Sequence, residues 1–204
     1  MTPRALVIGA GCSGFTTAKR LADEGLSFDW FEMSDRVGGN WAYGNPNGRS
    51  AAYASLHIDT SKWRLQFEDF PCPADWPDFP HHRLIDQYFN AYVDHFGLRP
   101  CIRFGHAVRR AWQEGALWKA EVEGPEGPAI HGPYTHVIVA NGHHWDPNIP
   151  DIPGSFAGQE FHAGSCEAIR ADRALAVVSG PLASVSLPES PESGIDLPAG
   201  RFPD

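Results

Sequence analysis

The chain is short of several things, and each shortage removes a class of function. No apolar run in its 204 residues approaches the roughly 20 that a membrane-spanning helix needs. Basic residues are too few for a nucleic-acid surface: 16 Lys and Arg stand against 25 Asp and Glu, a formal charge of −9, with no basic stripe. Cysteine is sparse. Cys12, Cys72, Cys101 and Cys166 are scattered without a C-x-x-C pair, which argues against a zinc ribbon and against a disulfide reductase whose redox pair lies here. Reduced cytosolic thiols are the plainer reading, and a cytoplasmic location is expected. The N-terminus lacks the layout of a signal peptide, because an apolar strand begins almost at once. Metal ligands are not grouped either. His81-His82 and His143-His144 are adjacent pairs, which turn two rings to different faces more often than onto one ion, so no metal is expected.

What is present is globular: 42% hydrophobic and 20% charged, with 21 Gly and 18 Pro that promise many loops. The length suits one domain or one and a half.

The most informative stretch is the first. Ala5-Leu6-Val7-Ile8 reads as a buried strand, Gly9-Ala10-Gly11-Cys12-Ser13-Gly14 as a Gly-x-Gly-x-x-Gly turn, and Phe15 to Glu24 as a helix. A dinucleotide-binding βαβ unit has this order. Gly9 permits the tight turn, Gly11 lets the backbone approach a pyrophosphate, and Gly14 lets helix and strand pack. The phosphates would sit on free N–H groups at the helix N-terminus, where the dipole favours negative charge. Gly25 is a plausible cap, and Ser27 to Glu32 reads as a second strand ending in an acid. Glu32 lies 18 residues after Gly14, near the expected place of a carboxylate that binds ribose hydroxyls. A carboxylate would repel a 2′-phosphate, so FAD or NAD is favoured over NADP at this first site. The plainer alternative is a solvated Glu at a strand end.

Arg36-Val37-Gly38-Gly39-Asn40-Trp41 puts a glycine pair just past the acidic strand. A simple nicotinamide dehydrogenase would turn into a helix here. The stretch from Trp41 to Pro80 is instead long, rich in Gly, Pro and aromatics, and poor in helical period, which fits a functional loop better than disorder. His81 to Phe96 is the clearest helix, with Leu84, Ile85, Tyr88, Phe89, Tyr92, Val93 and Phe96 making one wide apolar face that reads as core. Cys101 to Trp112 and Ala116 to Glu123 read as strands, and Gly124 to Pro133 as turns.

These motifs together resemble the flavin-containing monooxygenases, the class B type that holds FAD and uses NADPH and O2. The resemblance rests on Gly9-x-Gly11-x-x-Gly14, Glu32, Gly38-Gly39-Asn40-Trp41, Ser55 to Lys62, Phe70 to His81, Val137 to Gly142 followed by Pro147, Pro150 and Pro153-Gly154, and Phe156-x-Gly158-x-x-x-His162. It covers roughly residues 4 to 166. It implies an α/β, Rossmann-like parallel sheet of the two-dinucleotide-domain flavoprotein type with a small β excursion. An FAD-binding portion would occupy residues 1–166, the start of an NADPH domain 167–180, and a disordered tail 181–204. Arg173 to Val178 looks like that domain's first strand, but no second Gly-x-Gly-x-x-Gly follows it. The FAD domain is therefore expected to be incomplete, and the chain to be an N-terminal fragment, a truncated product or a frame altered near residue 179.

The resemblance also implies the chemistry. Reduced flavin and O2 form a C4a-hydroperoxide, which passes one oxygen to a soft nucleophile, an amine or a sulfide. The protein places the flavin, excludes water and guards the peroxide. Carried over to this sequence, Gly9, Ala10, Gly11, Cys12, Ser13, Gly14, Glu32, Gly39, Asn40, Trp41, Thr60 and Val108 are the cofactor-binding candidates. Val108 stands where the family's backbone meets adenine, although a buried sheet valine explains it equally well. Asp59 is the catalytic candidate, at a position usually Asn in the family and close to flavin and nicotinamide; a turn-capping loop Asp is the plainer alternative. Cys166 replaces the aromatic residue that separates amine and sulfide oxygenases from Baeyer–Villiger relatives, so that choice stays open. A small-molecule substrate and O2 are the expected partners, with neither nucleic acid nor membrane. A non-catalytic FAD-binding remnant and a nicotinamide dehydrogenase remain as alternatives; the latter explains Glu32 but not the glycine pair or the aromatic loop.

Overall fold

The computed structural model describes residues 2–143, 153–154, 160–162 and 184–186. Two compact units are present, residues 1–146 and 147–204.

The first unit is built on a four-stranded parallel sheet. Its strands are β1 (Arg4–Ile8), β2 (Ser27–Phe31), β3 (Ile102–Arg103) and β7 (His136–Val139), in the order β3-β2-β1-β7. β1 is central, with Ala5 to Ile8 paired to Phe28 to Phe31 on one side and to His136 to Val139 on the other. A central parallel strand is covered on both faces, which is why its sequence is continuously apolar. Val7 joins one core with Phe15, Ala18 and Trp30. Leu6 joins another with Phe31, Ala120, Val122 and Tyr134.

The first core lies under two helices. Helix α1 (Cys12–Asp23) buries Gly14, Phe15 and Ala18, and ends where Gly25 takes φ +65°. It begins three residues earlier than the sequence suggests, so the glycine turn closes directly into helix and Gly14 belongs to the first turn. Helix α3 (His82–His95) buries Ile85, Tyr88, Phe89, Tyr92 and Val93, as its period predicts. Between them lies the long aromatic segment with only one short helix, α2 (Lys62–Leu65). Lys62 is 1% exposed. Its ammonium donates to the carbonyls of Pro73, Ala74 and Trp76, so three donors meet three acceptors and the charge is solvated by backbone.

The second core lies under a three-stranded antiparallel sheet of β4 (Ala107–Glu114), β5 (Leu117–Gly124) and β6 (Gly127–Tyr134), in that order. Here the structure corrects the expected turns over 124–133. Gly127, Pro128, Gly132 and Pro133 suggest turns, but β6 pairs only with β5, and an edge strand tolerates prolines that a central one would reject. Tyr134 ties the two sheets together: its hydroxyl donates to Asp29 Oδ2 at 2.7 Å, and Arg4 donates to the same oxygen at 2.7 Å. Burial alone would raise the Asp29 pKa, but the bonds from Tyr134 and Arg4 outweigh it and hold the carboxyl below the usual range.

In the second unit, β8 (Glu160–His162) pairs antiparallel with β9 (Ser184–Ser186). The first contains the end of the Phe156 to His162 motif. The second lies within the stretch 181–204 in which no period is legible, three residues being too few to show one. The expected strand Arg173 to Val178, Cys166 and the rest of the expected tail lie outside the described residues.

Candidate functional site: a glycine-floored cleft at the carboxyl ends of the strands

A cleft of about 610 Å³ opens where β1, β2 and β7 end. In open α/β sheets ligands bind at this edge, and the volume falls within the roughly 300–1,000 Å³ of ligand pockets. Its floor is the glycine turn. Gly9 has φ +100°, and a Cβ there would stand 2.4 Å from the Ala140 carbonyl oxygen. A Cβ on Gly14 would stand 1.9 Å from the Gly9 oxygen, so the turn and the helix touch backbone to backbone. Gly11 is the N-cap of α1 and supplies no side-chain bond to the first turn, which also holds no acidic residue. Gly11, Cys12 and Ser13 line the cleft. The Gly14 N–H donates back to the Gly11 carbonyl at 3.0 Å, which leaves the N–H groups of Cys12 and Ser13 and the positive end of the helix dipole for an anion.

Glu32 is 7% exposed and lines the cleft at the end of β2. One carboxylate oxygen accepts the Ala10 N–H at 2.6 Å, the other the Ser34 N–H at 2.7 Å. The side chain is therefore fixed from both sides, and each oxygen keeps a second lone pair for a diol. Ala10 does not line the cleft; its N–H orients Glu32 and its carbonyl accepts the Gly38 N–H at 3.1 Å. That bond joins the glycine pair to the glycine turn. Gly38, Gly39, Asn40 and Trp41 form the facing wall. Asn40 also organises the next loop: its Oδ1 accepts the Ala51 N–H at 2.8 Å, and its carbonyl accepts the Ser50 hydroxyl at 2.7 Å.

Of the residues expected from sequence, Gly9, Gly11, Cys12, Ser13, Glu32, Gly39, Asn40, Trp41 and Val108 line one cleft. Ala10 and Gly14 support it from behind. Asp59 and Thr60 are not in it; both are exposed in a bend of the aromatic segment. Val108 lies on β4, half-buried against the second core, and lines the cleft. Sequence reasoning missed Met33, Asn45, Asn47, Arg49, His106 and Arg109, which also line the cleft. The turn-rich run Asn45-Pro46-Asn47-Gly48 was the available signal for the loop residues; His106 and Arg109 are brought in by the connection into β4 and by β4 itself, and carry no local motif.

Among the described lining residues Glu32 is the one acid, beside Arg49 and Arg109, and Arg109 is paired with Glu123 at 2.7 Å. Cys12 is exposed in the open cleft, but the walls around its thiol desolvate it and push its pKa up, so that group is neutral near pH 7. Among the described residues there is no cluster of three or more His, Cys, Asp or Glu able to hold a metal, and no helix long and apolar enough to cross a membrane.

A dinucleotide fits this donor set: bare backbone and a helix N-terminus for phosphates, a fixed carboxylate for a diol, and a further compartment beside it. Comparisons with known proteins point the same way. The model of the family described as flavin-binding monooxygenase-like matches residues 2–180. Flavin-containing monooxygenase 5 of Rattus norvegicus is 37% identical over 171 residues, covering 78% of this chain and 32% of the relative. Dimethylaniline monooxygenase [N-oxide-forming] 2 of Macaca mulatta is 35% identical over 176 residues, covering 80% and 32%. The chain thus spans about a third of the length of these curated relatives. Among solved structures, the S-allyl-L-cysteine S-oxygenase of Allium sativum superposes with a TM-score of 0.68 at 28% identity, over 76% of this chain and 39% of that one. The βαβ unit, the glycine-floored cleft and the family match over most of its length agree: this chain belongs to the flavin-binding monooxygenase-like family.

Proposed function

We propose that this chain holds FAD in the cleft and serves NADPH-dependent oxygenation of a soft nucleophile, an amine or a sulfide, by O2. The observation that carries the reading is the shared cleft of the Gly9–Gly14 turn, the buried Glu32 and the Gly38–Trp41 wall. The N–H groups of Gly11, Cys12 and Ser13 would hold the pyrophosphate. Glu32, oriented by Ala10 and Ser34, would accept the ribose hydroxyls. Val108, which also lines the cleft, would belong to the compartment for the base. When bound, the flavin supplies the redox chemistry and the activation of O2. The chain's own part is to bind, orient and shield. The substrate class is supported by the printed activities of relatives, one an N-oxide-forming dimethylaniline monooxygenase and one an S-oxygenase acting on S-allyl-L-cysteine.

A non-catalytic flavin-binding module is the second reading. The exposure of Asp59 and Thr60, outside the cleft, favours it. The two are separated by incubating the chain with FAD, NADPH, O2 and either dimethylaniline or an alkyl sulfide. Oxygenation predicts NADPH consumption and a product one oxygen heavier than the substrate. Bound FAD with no NADPH consumption would leave the second reading. NADPH consumption without oxygenated product would contradict the first.

A further inference from the structure

The base end of the cleft contains a fitted pair that no motif announces. His106 lines the cleft beside Glu32, and its N–H donates to the Glu32 carbonyl at 2.9 Å. Its Nδ1 lies 2.7 Å from the Phe104 carbonyl oxygen. A carbonyl only accepts, so Nδ1 carries the proton and the ring is held in one orientation. On one side the ring packs against Phe31, with centroids 5.9 Å apart. Phe31 is itself confined by His131 at 5.0 Å and by the Arg103 guanidinium at 5.2 Å. On another side is Gly124, the last residue of β5. A Cβ there would lie 2.7 Å from Cδ2 of His106 and 2.8 Å from Nε2, so any side chain at 124 would have to displace the ring. Gly124 does not have a positive φ, so the glycine is explained by the imidazole and not by backbone conformation.

We propose that His106 and Gly124 together gauge the adenosine end of the site: the imidazole is the wall on which the base rests, and the bare Cα of Gly124 lets that wall stand back. The glycine turn takes the pyrophosphate and Glu32 the ribose, so the base lies next to Glu32, where His106, bonded to the Glu32 backbone, also lines the cleft. His106 lines the cleft and Gly124 does not, so Gly124 backs the ring from outside the cleft. With Phe31 closing its other side, a ring displaced from Gly124 moves toward the base. His106 is thus a positioning residue for the dinucleotide, selecting FAD over a flavin mononucleotide. This rests on the reading of the cleft as an FAD site.

The test is a set of fluorescence titrations of the full chain with FAD and with FMN, which lacks the AMP moiety and so never reaches His106. Gly124→Ala is expected to weaken FAD by about tenfold or more while FMN stays within about twofold. His106→Ala is expected to weaken FAD by about three- to tenfold, again sparing FMN. In the His106→Ala background, Gly124→Ala should have no further effect, because the ring it would displace is gone. An equal loss of FAD and FMN affinity, or an undiminished effect of Gly124→Ala without the imidazole, overturns the proposal, since either marks a general disturbance of the sheet. If the unaltered chain binds FAD and FMN equally, this inference fails and the flavin reading survives. If it takes up neither, both fail.

Discussion

The Glu32 carboxylate accepts the backbone N–H of Ala10 at 2.6 Å, across 22 residues of sequence. The acid at the end of the second strand and the glycine turn at the end of the first are therefore one device. The carboxylate shapes the turn before any ribose meets it. Glu32→Ala removes both this bond and the one from Ser34, leaving two buried N–H groups without their acceptor. Each such loss is worth about 1–3 kcal/mol. The variant should lose stability in urea titration by roughly 2 kcal/mol or more, and FAD affinity should fall in parallel. A variant as stable as the parent would show that these bonds do not hold the turn.

Gly14 meets Gly9 with no room for a side chain, and the atom in the way is backbone. Gly14→Ala must push α1 off the sheet. Overpacking of this kind is worth about 1–3 kcal/mol, so the thermal midpoint should fall, with loss of cofactor uptake because the helix N-terminus forms the floor of the cleft. Unchanged FAD binding by this variant would argue against that floor.

Lys62 solvates three carbonyls of the 73–76 loop from a fully buried position. Lys62→Met keeps the volume and removes the donors. Stability should fall by about 3 kcal/mol, because the loop carbonyls lose their charged partner. Tryptophan fluorescence of the unfolding transition reads this directly, since Trp63 and Trp76 flank the ammonium.

His82 is 2% exposed, and its Nε2 has no hydrogen-bond partner among the described residues. Burial, with the neighbouring charges of His81, Arg83 and His57, pushes its pKa below the ordinary histidine value, although a bond to the Ala54 backbone opposes this. The folded state thus binds its proton later than the unfolded chain does. The stability associated with neutral His82 is present above the unfolded pKa, near 6.5, and is lost as pH falls through the lower folded value. Urea midpoints measured from pH 7.5 to 5 should decline with a slope from this site of at most about 1.4 kcal/mol per pH unit. His82→Leu should flatten that decline. An identical profile in the variant would place the pH dependence elsewhere.

The parts of the site that could be read in the sequence are those whose geometry is local. The Gly9–Gly14 turn, the helix it opens and the spacing to Glu32 lie within one βαβ unit, where spacing translates directly into space. The face of α3 was legible because a 14-residue helix shows its period. β6 was not, because its glycines and prolines suit turns as well as an edge strand, and only pairing with β5 decides between them. His106 reaches the cleft on the connection into β4, through its bond to the Glu32 carbonyl, and Arg109 reaches it on β4 itself, so no sequence interval from the glycine turn could have pointed to them. Asp59 and Thr60 show the opposite case: both belong to a motif, yet their loop holds them at the surface, away from the residues that converge.

The most direct test is an equilibrium titration of the purified chain with FAD and, separately, with NAD, followed by flavin and tryptophan fluorescence. The account predicts saturable binding of FAD at one site per chain, weakened by Glu32→Ala, with NAD binding far more weakly. Absence of FAD binding, or a preference for NAD, would contradict it.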